Sequence, residues 1–206
     1  MKKVLFYLIP ALLLLLTVAA LPRESKKGYA IGDTVEAFKL KNVDGKMVGL
    51  SDYKDARGMI VVFSCNHCPW VVKYEDRIKD LNKKFDKKGY PVVAINPNDV
   101  QKQPEDSFEK MVERSKKLKF DFPYLYDETQ HVAAAFGAEK TPHVYLLNNE
   151  KGKMVVRYIG AIDDNPDAKG VKEHYVEAAI QALLDGKEVD VKETKAIGCS
   201  IKWSAS

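Results

Sequence analysis

The sequence predicts one α/β domain in which a central mixed β-sheet is flanked by helices. Two observations lead to this prediction. Short apolar runs rich in Val, which are typical of strands buried on both faces, alternate with segments of helical periodicity. Later in the chain two strand-like runs follow each other with only a turn between them, which indicates an antiparallel pair in the same sheet. A chain of 206 residues without internal repeats or low-complexity linkers suits a single domain.

The first elements are a hairpin, a buried strand and a helix. Two alternating stretches in residues 37–50 flank an Asn-Val-Asp-Gly turn at 42–45 and predict an N-terminal β-hairpin. The continuous apolar run at 59–63 predicts a buried strand, and residues 69–88 show a helical pattern that Gly89 ends as a C-cap. The apolar stripe of this helix comprises Val72, Ile78, Leu81 and Phe85.

The second half continues the alternation. A strand at 91–95 precedes an amphipathic helix at 104–118, whose many Lys and Glu residues form a solvated face. The apolar side of this helix comprises Phe108, Met111, Val112 and Leu118. The remaining elements are a strand at 122–126, a short helix at 129–136, two strands at 143–147 and 154–158, and a closing helix at 172–184.

The N-terminal segment differs from the rest of the chain. A Lys-Lys pair precedes an apolar run at 4–20 that ends in small residues, which is the pattern of an export signal. Cleavage after Ala20 and retention as a membrane anchor both fit a run of this length. Either alternative predicts an exported, periplasmic or otherwise extracytoplasmic protein. Contact with the membrane is expected only through this segment, and only if it is not cleaved. We expect a flexible linker at 21–30 and the folded domain at 31–206.

The charge distribution argues against one class of partner. The formal net charge is +4, from 33 Lys and Arg against 29 Asp and Glu, and the Lys pairs are short and flanked by acidic residues. Nucleic-acid binding depends on a concentrated positive surface. We therefore expect no nucleic-acid partner.

The chemistry of the chain is concentrated in the run Cys65-Asn66-His67-Cys68-Pro69. A Cys-x-x-Cys pair that follows a buried strand and opens a helix is typical of redox-active dithiols. Because unpaired N–H groups and the positive end of the dipole meet at a helix N terminus, we expect the pKa of Cys65 below the ordinary value of about 8.5. Cys65 is then the attacking thiol, and Cys68 lies close enough to resolve the mixed disulfide.

The neighbouring groups leave alternatives open. His67 is either a cation that stabilises the thiolate or a solvent-facing spacer. The cysteine pair itself fits a structural disulfide or half of a zinc site less well than a redox dithiol. A Cys₄ zinc site needs a second Cys pair, which the sequence lacks, and its 4 His residues show no metal-ligand spacing. We therefore expect no metal ligands.

The third cysteine, Cys199, lies in a polar tail together with Ile201 and Trp203. Three interpretations fit an odd cysteine in an exported chain. It is a free thiol packed against the domain by these two apolar residues, an auxiliary thiol that exchanges with Cys65 and Cys68, or one half of an intermolecular disulfide.

Several motifs occur together in this chain. They are the run Val61–Pro69, the stretches Pro104–Phe108 and Phe122–Thr129, the dipeptide Thr141-Pro142 before a strand, and the ending Gly198-Cys199-Ser200-Ile201-Lys202-Trp203. In combination they resemble the thioredoxin superfamily, and more closely its peroxiredoxin-like redoxins of the AhpC/TSA type that carry Cys-Asn-His-Cys-Pro. The resemblance covers roughly residues 31–203.

The resemblance implies a thioredoxin-like fold in which the helix at 104–118 is an insertion. It implies that Pro142 is cis and stands beside the cysteine pair, with Thr141 offering backbone groups to an extended substrate chain. It also implies Cys65 as the attacking thiol and Cys68 as the resolving thiol. No bound cofactor is implied, because the reaction is thiol–disulfide exchange.

Two departures from true peroxiredoxins bear on the activity. Val62 stands where they carry a Thr, and Thr141-Pro142 occupies the strand start at which they place a peroxide-activating Arg. We therefore expect an extracytoplasmic thiol–disulfide oxidoreductase that acts on protein thiols and disulfides and depends on an unidentified redox partner. A peroxiredoxin-like antioxidant that uses Cys65 is the first alternative, and a copper or zinc carrier is the second. Because the preceding strand has no acidic residue, proton transfer to Cys68 falls to water, His67 or another residue such as Glu75.

Overall fold

The computed structural model describes residues 28–205, so the signal peptide or anchor predicted at 1–20 and most of the linker predicted at 21–30 lie outside the described residues. The strands are β1 (Lys39–Asn42), β2 (Met47–Gly49), β3 (Gly58–Phe63), β4 (Val92–Asn96), β5 (Tyr124–Tyr126), β6 (Lys140–Thr141), β7 (His143–Glu150), β8 (Lys153–Gly160) and β9 (Cys199–Ser200). The α-helices are α1 (Pro69–Phe85), α2 (Phe108–Leu118), α3 (His131–Phe136) and α4 (Tyr175–Leu184). Among residues 28–205, no helix combines the length and apolar character needed to cross a membrane.

Seven strands form one mixed sheet in the order β2-β1-β5-β4-β3-β7-β8. The strands β3, β4 and β5 are mutually parallel, whereas β1 and β7 run antiparallel to their neighbours. Every residue of β3 and β4 is buried, because α1 and α4 cover one face of the sheet and α3 covers the other. The predicted α/β class, central mixed sheet and N-terminal hairpin are therefore confirmed.

Strand β3 leads from the centre of the core to the cysteine pair. Its side chains alternate between the two faces, as the period of a strand requires. Ile60 and Val62 pack in the layer that contains α1, and Met59, Val61 and Phe63 pack in the layer that contains α3. Because both faces are filled with apolar side chains, the end of β3 is a rigid platform for the residues that follow it.

The predicted helix at 69–88 forms, but one residue of its predicted apolar stripe is wrong. Val72 is 51% exposed, and the inward face begins instead at Val71 and Tyr74. Residues at spacings of three and four share one helix face, and Val71, Tyr74 and Ile78 follow that spacing. Gly89 ends the helix region in the left-handed conformation, with φ of 89°, as predicted.

Three other predicted helices begin later than expected, and α3, predicted from residue 129, begins at His131. Residues 104–118 divide into a 3₁₀ turn at Pro104–Asp106 and helix α2, and Ser107 caps α2 by accepting a hydrogen bond from the N–H of Lys110. Helix α4 begins at Tyr175 rather than Lys172, because the Asp164 carboxylate accepts the N–H groups of Lys172 and Glu173 and holds them outside the helix. The polar turn after 143–147 is also shorter than predicted, since β7 continues to Glu150.

The C-terminal tail is a structured part of the domain. Its strand β9 pairs antiparallel with β6, with Thr141 opposite Cys199 and Lys140 opposite Ser200. Beyond β9, the N–H of Lys202 donates to Asn98 Oδ1 at 2.8 Å, and the N–H of Ser204 donates to Gln130 Oε1 at 2.7 Å. These bonds fix the tail along the edge of the site.

Candidate active site

The two cysteines lie in the loop between β3 and α1. The N–H of Ser64 donates to the Ile95 carbonyl at 2.8 Å and so continues the pairing of β3 with β4 up to the first cysteine. Cys68 is the N-cap of α1, and Pro69 is the first residue of the helix, where its missing N–H costs no hydrogen bond. Both thiols are buried, with Cys65 1% and Cys68 0% exposed.

Thr141 contacts both sulfurs from the opposite side. Its Oγ1 lies 3.3 Å from Cys65 Sγ, and its carbonyl oxygen accepts a hydrogen bond from Cys68 Sγ at 3.2 Å. The Thr141–Pro142 peptide bond is cis. The structure therefore brings Cys65, Cys68, Thr141 and the adjoining Pro142 together as the sequence predicted, while the roles assigned to them stay predictions.

The two thiols lie in one buried cluster, and their mutual interaction moves their pKa values in opposite directions. It raises the pKa of Cys65, and burial and the charge of Asp106 raise it further. The same interaction lowers the pKa of Cys68, together with the Cys199 thiol and the N–H of Val71. The expected lowering of the pKa is therefore found at Cys68 and not at Cys65, because burial and the Asp106 charge disfavour the thiolate of Cys65.

Asp106 organises the loop around the cysteines from the 3₁₀ turn that precedes α2. It is fully buried, and its Oδ1 accepts the N–H groups of Asn66 at 2.6 Å and His67 at 3.3 Å. Its Oδ2 accepts the side-chain amide of Asn98 at 2.6 Å. The carboxylate therefore ties three separate segments together through charge-assisted hydrogen bonds.

The His67 side chain is directed at this same carboxylate. Its Nδ1 lies 2.6 Å from Asp106 Oδ2, and its side chain is 22% exposed. Because an ionised carboxylate only accepts hydrogen bonds, Nδ1 carries the hydrogen and donates it. The ring is thus neither an isolated cation nor a free solvent-facing spacer, since an acidic partner balances any charge it carries.

A second polar group lies behind Cys65. Glu75 of α1 and Arg114 of α2 form an ion pair, with Arg114 Nε donating to Glu75 Oε1 at 2.6 Å. Together with Cys65 and Tyr124 they line a cavity of about 10 Å³, which is the size of a single water site. Burial raises the pKa of Glu75, and the hydrogen bond from Arg114 partly offsets this effect. The cavity places a carboxyl group with a raised pKa next to the buried thiol.

One group of possible metal donors occurs among the described residues. Cys65 Sγ, a His67 ring nitrogen and an Asp106 carboxylate oxygen all lie within 4.8 Å of one another. Both Asp106 oxygens are already engaged by loop N–H groups, the Asn98 amide and the His67 ring. This donor set therefore fits a hydrogen-bonded loop better than a metal centre.

Cys199 lies beside the pair rather than apart from it. It packs against the cluster formed by Cys65, Cys68 and Val71, and its own thiol is half-buried. Of the two apolar residues expected to hold it, Ile201 is buried, but Trp203 is 38% exposed, so that part of the prediction is wrong. The backbone pairing of β9 with β6 takes the role expected of Trp203.

Sequence reasoning missed the functional positions of Asp106 and Arg114. Asp106 lies 40 residues from its partner Asn66 and Arg114 39 residues from its partner Glu75, and both reach the site only because α2 and its preceding turn pack over the loop. Asp106 was part of a recognised family stretch, but no spacing rule connects it with Asn66 or His67. The available signal was an acidic residue directly before a Ser N-cap.

A buried dithiol at the junction of a central strand and a helix, facing a cis-proline loop, defines a thiol-based redox protein of thioredoxin-like fold. Residues 31–163, more than half of the chain, match the model of the AhpC/TSA family, and the chain belongs to this family. The predicted resemblance to the peroxiredoxin-like redoxins is thereby confirmed.

Similar proteins fall into two activity classes. The chain is 26% identical to the thiol-disulfide oxidoreductase ResA of Geobacillus thermodenitrificans, over 76% of this chain and 90% of that protein. It is 27% identical to the chloroplastic peroxiredoxin Q of Oryza sativa subsp. japonica, over 68% of this chain and 66% of that protein. A conserved protein of Geobacillus kaustophilus has a similar structure, with a TM-score of 0.80, 39% identity and coverage of 86% and 94% of the two chains. The protein is therefore a thiol-based oxidoreductase in the general sense.

Proposed function

We propose that this protein is an extracytoplasmic thiol–disulfide oxidoreductase that exchanges a disulfide between Cys65–Cys68 and the cysteines of protein substrates. One observation carries the proposal: both sulfurs lie at the N terminus of α1 and contact Thr141 of the cis-proline segment, Cys65 Sγ at 3.3 Å from its Oγ1 and Cys68 Sγ at 3.2 Å from its carbonyl oxygen. Such a pair forms a disulfide with little rearrangement and reopens it by exchange. The export pattern in residues 1–20 supports the extracytoplasmic location.

In the reducing direction, two exchanges transfer the disulfide to the protein. The Cys65 thiolate attacks one sulfur of the substrate disulfide, a mixed disulfide forms, and the first substrate thiolate leaves and takes up a proton. The Cys68 thiolate then attacks Cys65 Sγ, and the second substrate thiolate leaves. The substrate gains two electrons and two protons, and the protein holds a Cys65–Cys68 disulfide. The same steps in reverse oxidise a substrate dithiol.

The attacking thiol needs a proton acceptor, because the pKa of Cys65 is raised. Glu75 lines the same small cavity as Cys65, and burial raises the pKa of the Glu75 carboxyl. Its basicity is therefore closer to that of a thiolate than the basicity of an exposed carboxylate is. We assign the role of proton acceptor for Cys65 to Glu75, which the sequence offered as a candidate for proton transfer to Cys68.

Glu75→Gln is expected to slow insulin-disulfide reduction about 10- to 100-fold near neutral pH, because the amide keeps the contact with Arg114 but takes up no proton. In the wild type, the rate should fall as acid protonates Glu75, and this limb of the pH–rate profile should be missing in the variant. Asp76→Asn, which changes an exposed carboxylate on the same helix, is the matched control and should leave rate and profile unchanged. An unaltered acid limb in Glu75→Gln would remove Glu75 from the mechanism.

The direction of net transfer depends on the partner that restores the active form. A reductase requires a dithiol donor, and an oxidase requires a disulfide or other electron acceptor. Equilibration of Cys65–Cys68 with glutathione measures the potential that decides between them. A value near about −270 mV favours a reductase, and one near about −120 mV favours an oxidase.

A specific observation also favours a second candidate, a thiol peroxidase. Arg114 lines the cavity beside Cys65, although it comes from α2 and not from the strand start at which the sequence comparison placed an arginine. The charge of Arg114 is already paired with Glu75. In addition, Val62 stands where true peroxiredoxins carry a Thr. These two facts make the guanidinium a weaker activator of peroxide than an unpaired arginine.

Two assays on the wild-type protein separate the candidates. The proposed function predicts catalysed reduction of insulin disulfides with a dithiol as electron donor, and slow consumption of hydrogen peroxide. The peroxidase alternative predicts rapid peroxide consumption, with a sulfenic acid that can be trapped on Cys65. Insulin reduction no faster than the uncatalysed reaction would reject the proposed function.

A further inference from the structure

The edge of the cysteine site is occupied by a strand of the protein's own chain. Thr141, whose backbone groups are expected to pair with an extended substrate, pairs instead with Cys199 of β9. The residue opposite Thr141, directly before the cis-proline, is therefore itself a cysteine. A substrate chain paired in this register would present its own sulfur at the same place.

The chain is adapted to this close approach at Gly198. A Cβ atom there would lie 2.2 Å from the Thr141 carbonyl oxygen and 3.0 Å from the Pro142 nitrogen, so any side chain would force β9 away. Directly after the C-terminal end of β9, Ile201 is buried at 4% exposure, and its N–H donates to the Glu139 carbonyl at 3.1 Å. Both ends of β9 are thus fixed against the segment that carries the cis-proline.

The three thiols form a series with graded access. Cys65 and Cys68 are buried, whereas Cys199 is half-buried and packs against the cluster that they form with Val71. Its backbone partner Thr141 has its carbonyl oxygen 3.2 Å from Cys68 Sγ, which places Cys199 on the Cys68 side of the pair. Burial raises the pKa of Cys199 to about 11, with a smaller contribution from the Cys68 sulfur.

On the basis of the proposed function, we propose that Cys199 is a third redox thiol, which β9 presents to Cys68 in place of a substrate chain and which receives the disulfide from Cys65–Cys68. The partner that restores the active form then reacts with Cys199, the accessible member of the series. This assigns the tail a role in transfer between the buried pair and a second protein thiol or disulfide.

The transfer is one exchange without net oxidation. The Cys199 thiolate attacks Cys68 Sγ of the Cys65–Cys68 disulfide, and a Cys68–Cys199 bond forms as the Cys65–Cys68 bond breaks. Cys65 leaves as a thiolate and takes up the proton that Cys199 lost. The protein still holds one disulfide, and Cys65 is again a free thiol.

Disulfide mapping on Cys65→Ser tests this transfer independently of turnover. We expect oxidised glutathione to convert this variant to a Cys68–Cys199 disulfide, in about tenfold excess over glutathione adducts, because the two thiols are held close together. The matched control is Cys68→Ser, in which Cys65 and Cys199 remain and should form mainly separate adducts. Non-reducing peptide mass mapping distinguishes the products.

The possible results separate this inference from the proposed function. Stable glutathione adducts on both thiols of Cys65→Ser overturn the inference, even if the wild type reduces insulin. A Cys68–Cys199 disulfide supports it, even if insulin is not reduced. Equal Cys199 disulfide yields in Cys65→Ser and Cys68→Ser also overturn it, because transfer would then not depend on proximity to Cys68.

Gly198→Ala tests whether β9 positions Cys199. In the Cys65→Ser background it should lower the yield of Cys68–Cys199 disulfide and raise the alkylation rate of Cys68 by iodoacetamide about tenfold, because the strand is displaced. Ser200→Ala, which removes only an exposed contact with Lys140, is the control and should change neither value. Unchanged yield and alkylation in Gly198→Ala overturn the positioning role of the strand.

Discussion

Cys65→Ser is expected to reduce insulin at least about 10³-fold more slowly than the wild type, because the first exchange loses its nucleophile. The serine hydroxyl occupies nearly the same volume at a position that is 1% exposed, so the fold should be retained. Steady-state reduction with a dithiol donor measures the loss. Thermal unfolding of the variant checks that it keeps the wild-type fold, so that the loss of activity is due to the missing thiol.

Cys68→Ser is the paired variant, since it keeps the attacking thiol but removes the resolving one. It should lose turnover as well, but it should accumulate a mixed disulfide between Cys65 and its substrate, which non-reducing gels and peptide mapping detect. The opposite result, with adducts on Cys68 in Cys65→Ser and none on Cys65 in Cys68→Ser, would exchange the two roles. This outcome has a physical basis, because the lowered pKa of Cys68 favours its thiolate, which is the attacking form.

The central part of the fold was predictable because its determinants are local in the chain. The Val-rich run before Cys65 predicts a strand buried on both faces, and Pro69 and Gly89 mark the ends of the helical region that follows. The position of the Cys-x-x-Cys pair between these two patterns places both thiols at the strand–helix junction. The cis state of Pro142 was expected only through the family resemblance, since most X–Pro bonds are trans.

The parts that could not be predicted depend on contacts between distant segments. The pKa order of the thiols follows from the interaction between Cys65 and Cys68, from burial and from the neighbouring Asp106 and Cys199. The motif specifies neither the burial nor these two neighbours. The apolar stripe of α1 was misplaced at Val72, because Val71 and Val72 are equally apolar and only the packed helix decides between them. The position of Asp106 depends on how the inserted turn folds back over the loop.

Asp106→Asn is expected to lower the free energy of unfolding by about 3 kcal/mol, because it breaks charge-assisted hydrogen bonds in a fully buried position. The new Asn side chain has one oxygen and one NH₂ group, so its NH₂ group must face hydrogen-bond donors in either orientation. These donors are the N–H groups of Asn66 and His67 on one side, and the Asn98 amide and the His67 ring on the other. Chemical denaturation measures the loss. The matched control is Glu105→Gln, an exposed carboxylate next in the chain, which should change stability by less than about 0.5 kcal/mol.

A second measurement on Asp106→Asn separates its electrostatic effect from its structural one. The carboxylate raises the pKa of Cys65, so its neutralisation should lower that pKa and extend alkylation of Cys65 to more acidic pH. Loosening of the loop by itself would raise the alkylation rate at every pH without moving the midpoint of the profile. A midpoint that stays in place while stability falls limits Asp106 to holding the loop, and a midpoint that moves to lower pH shows that this buried charge also restrains the attacking thiol.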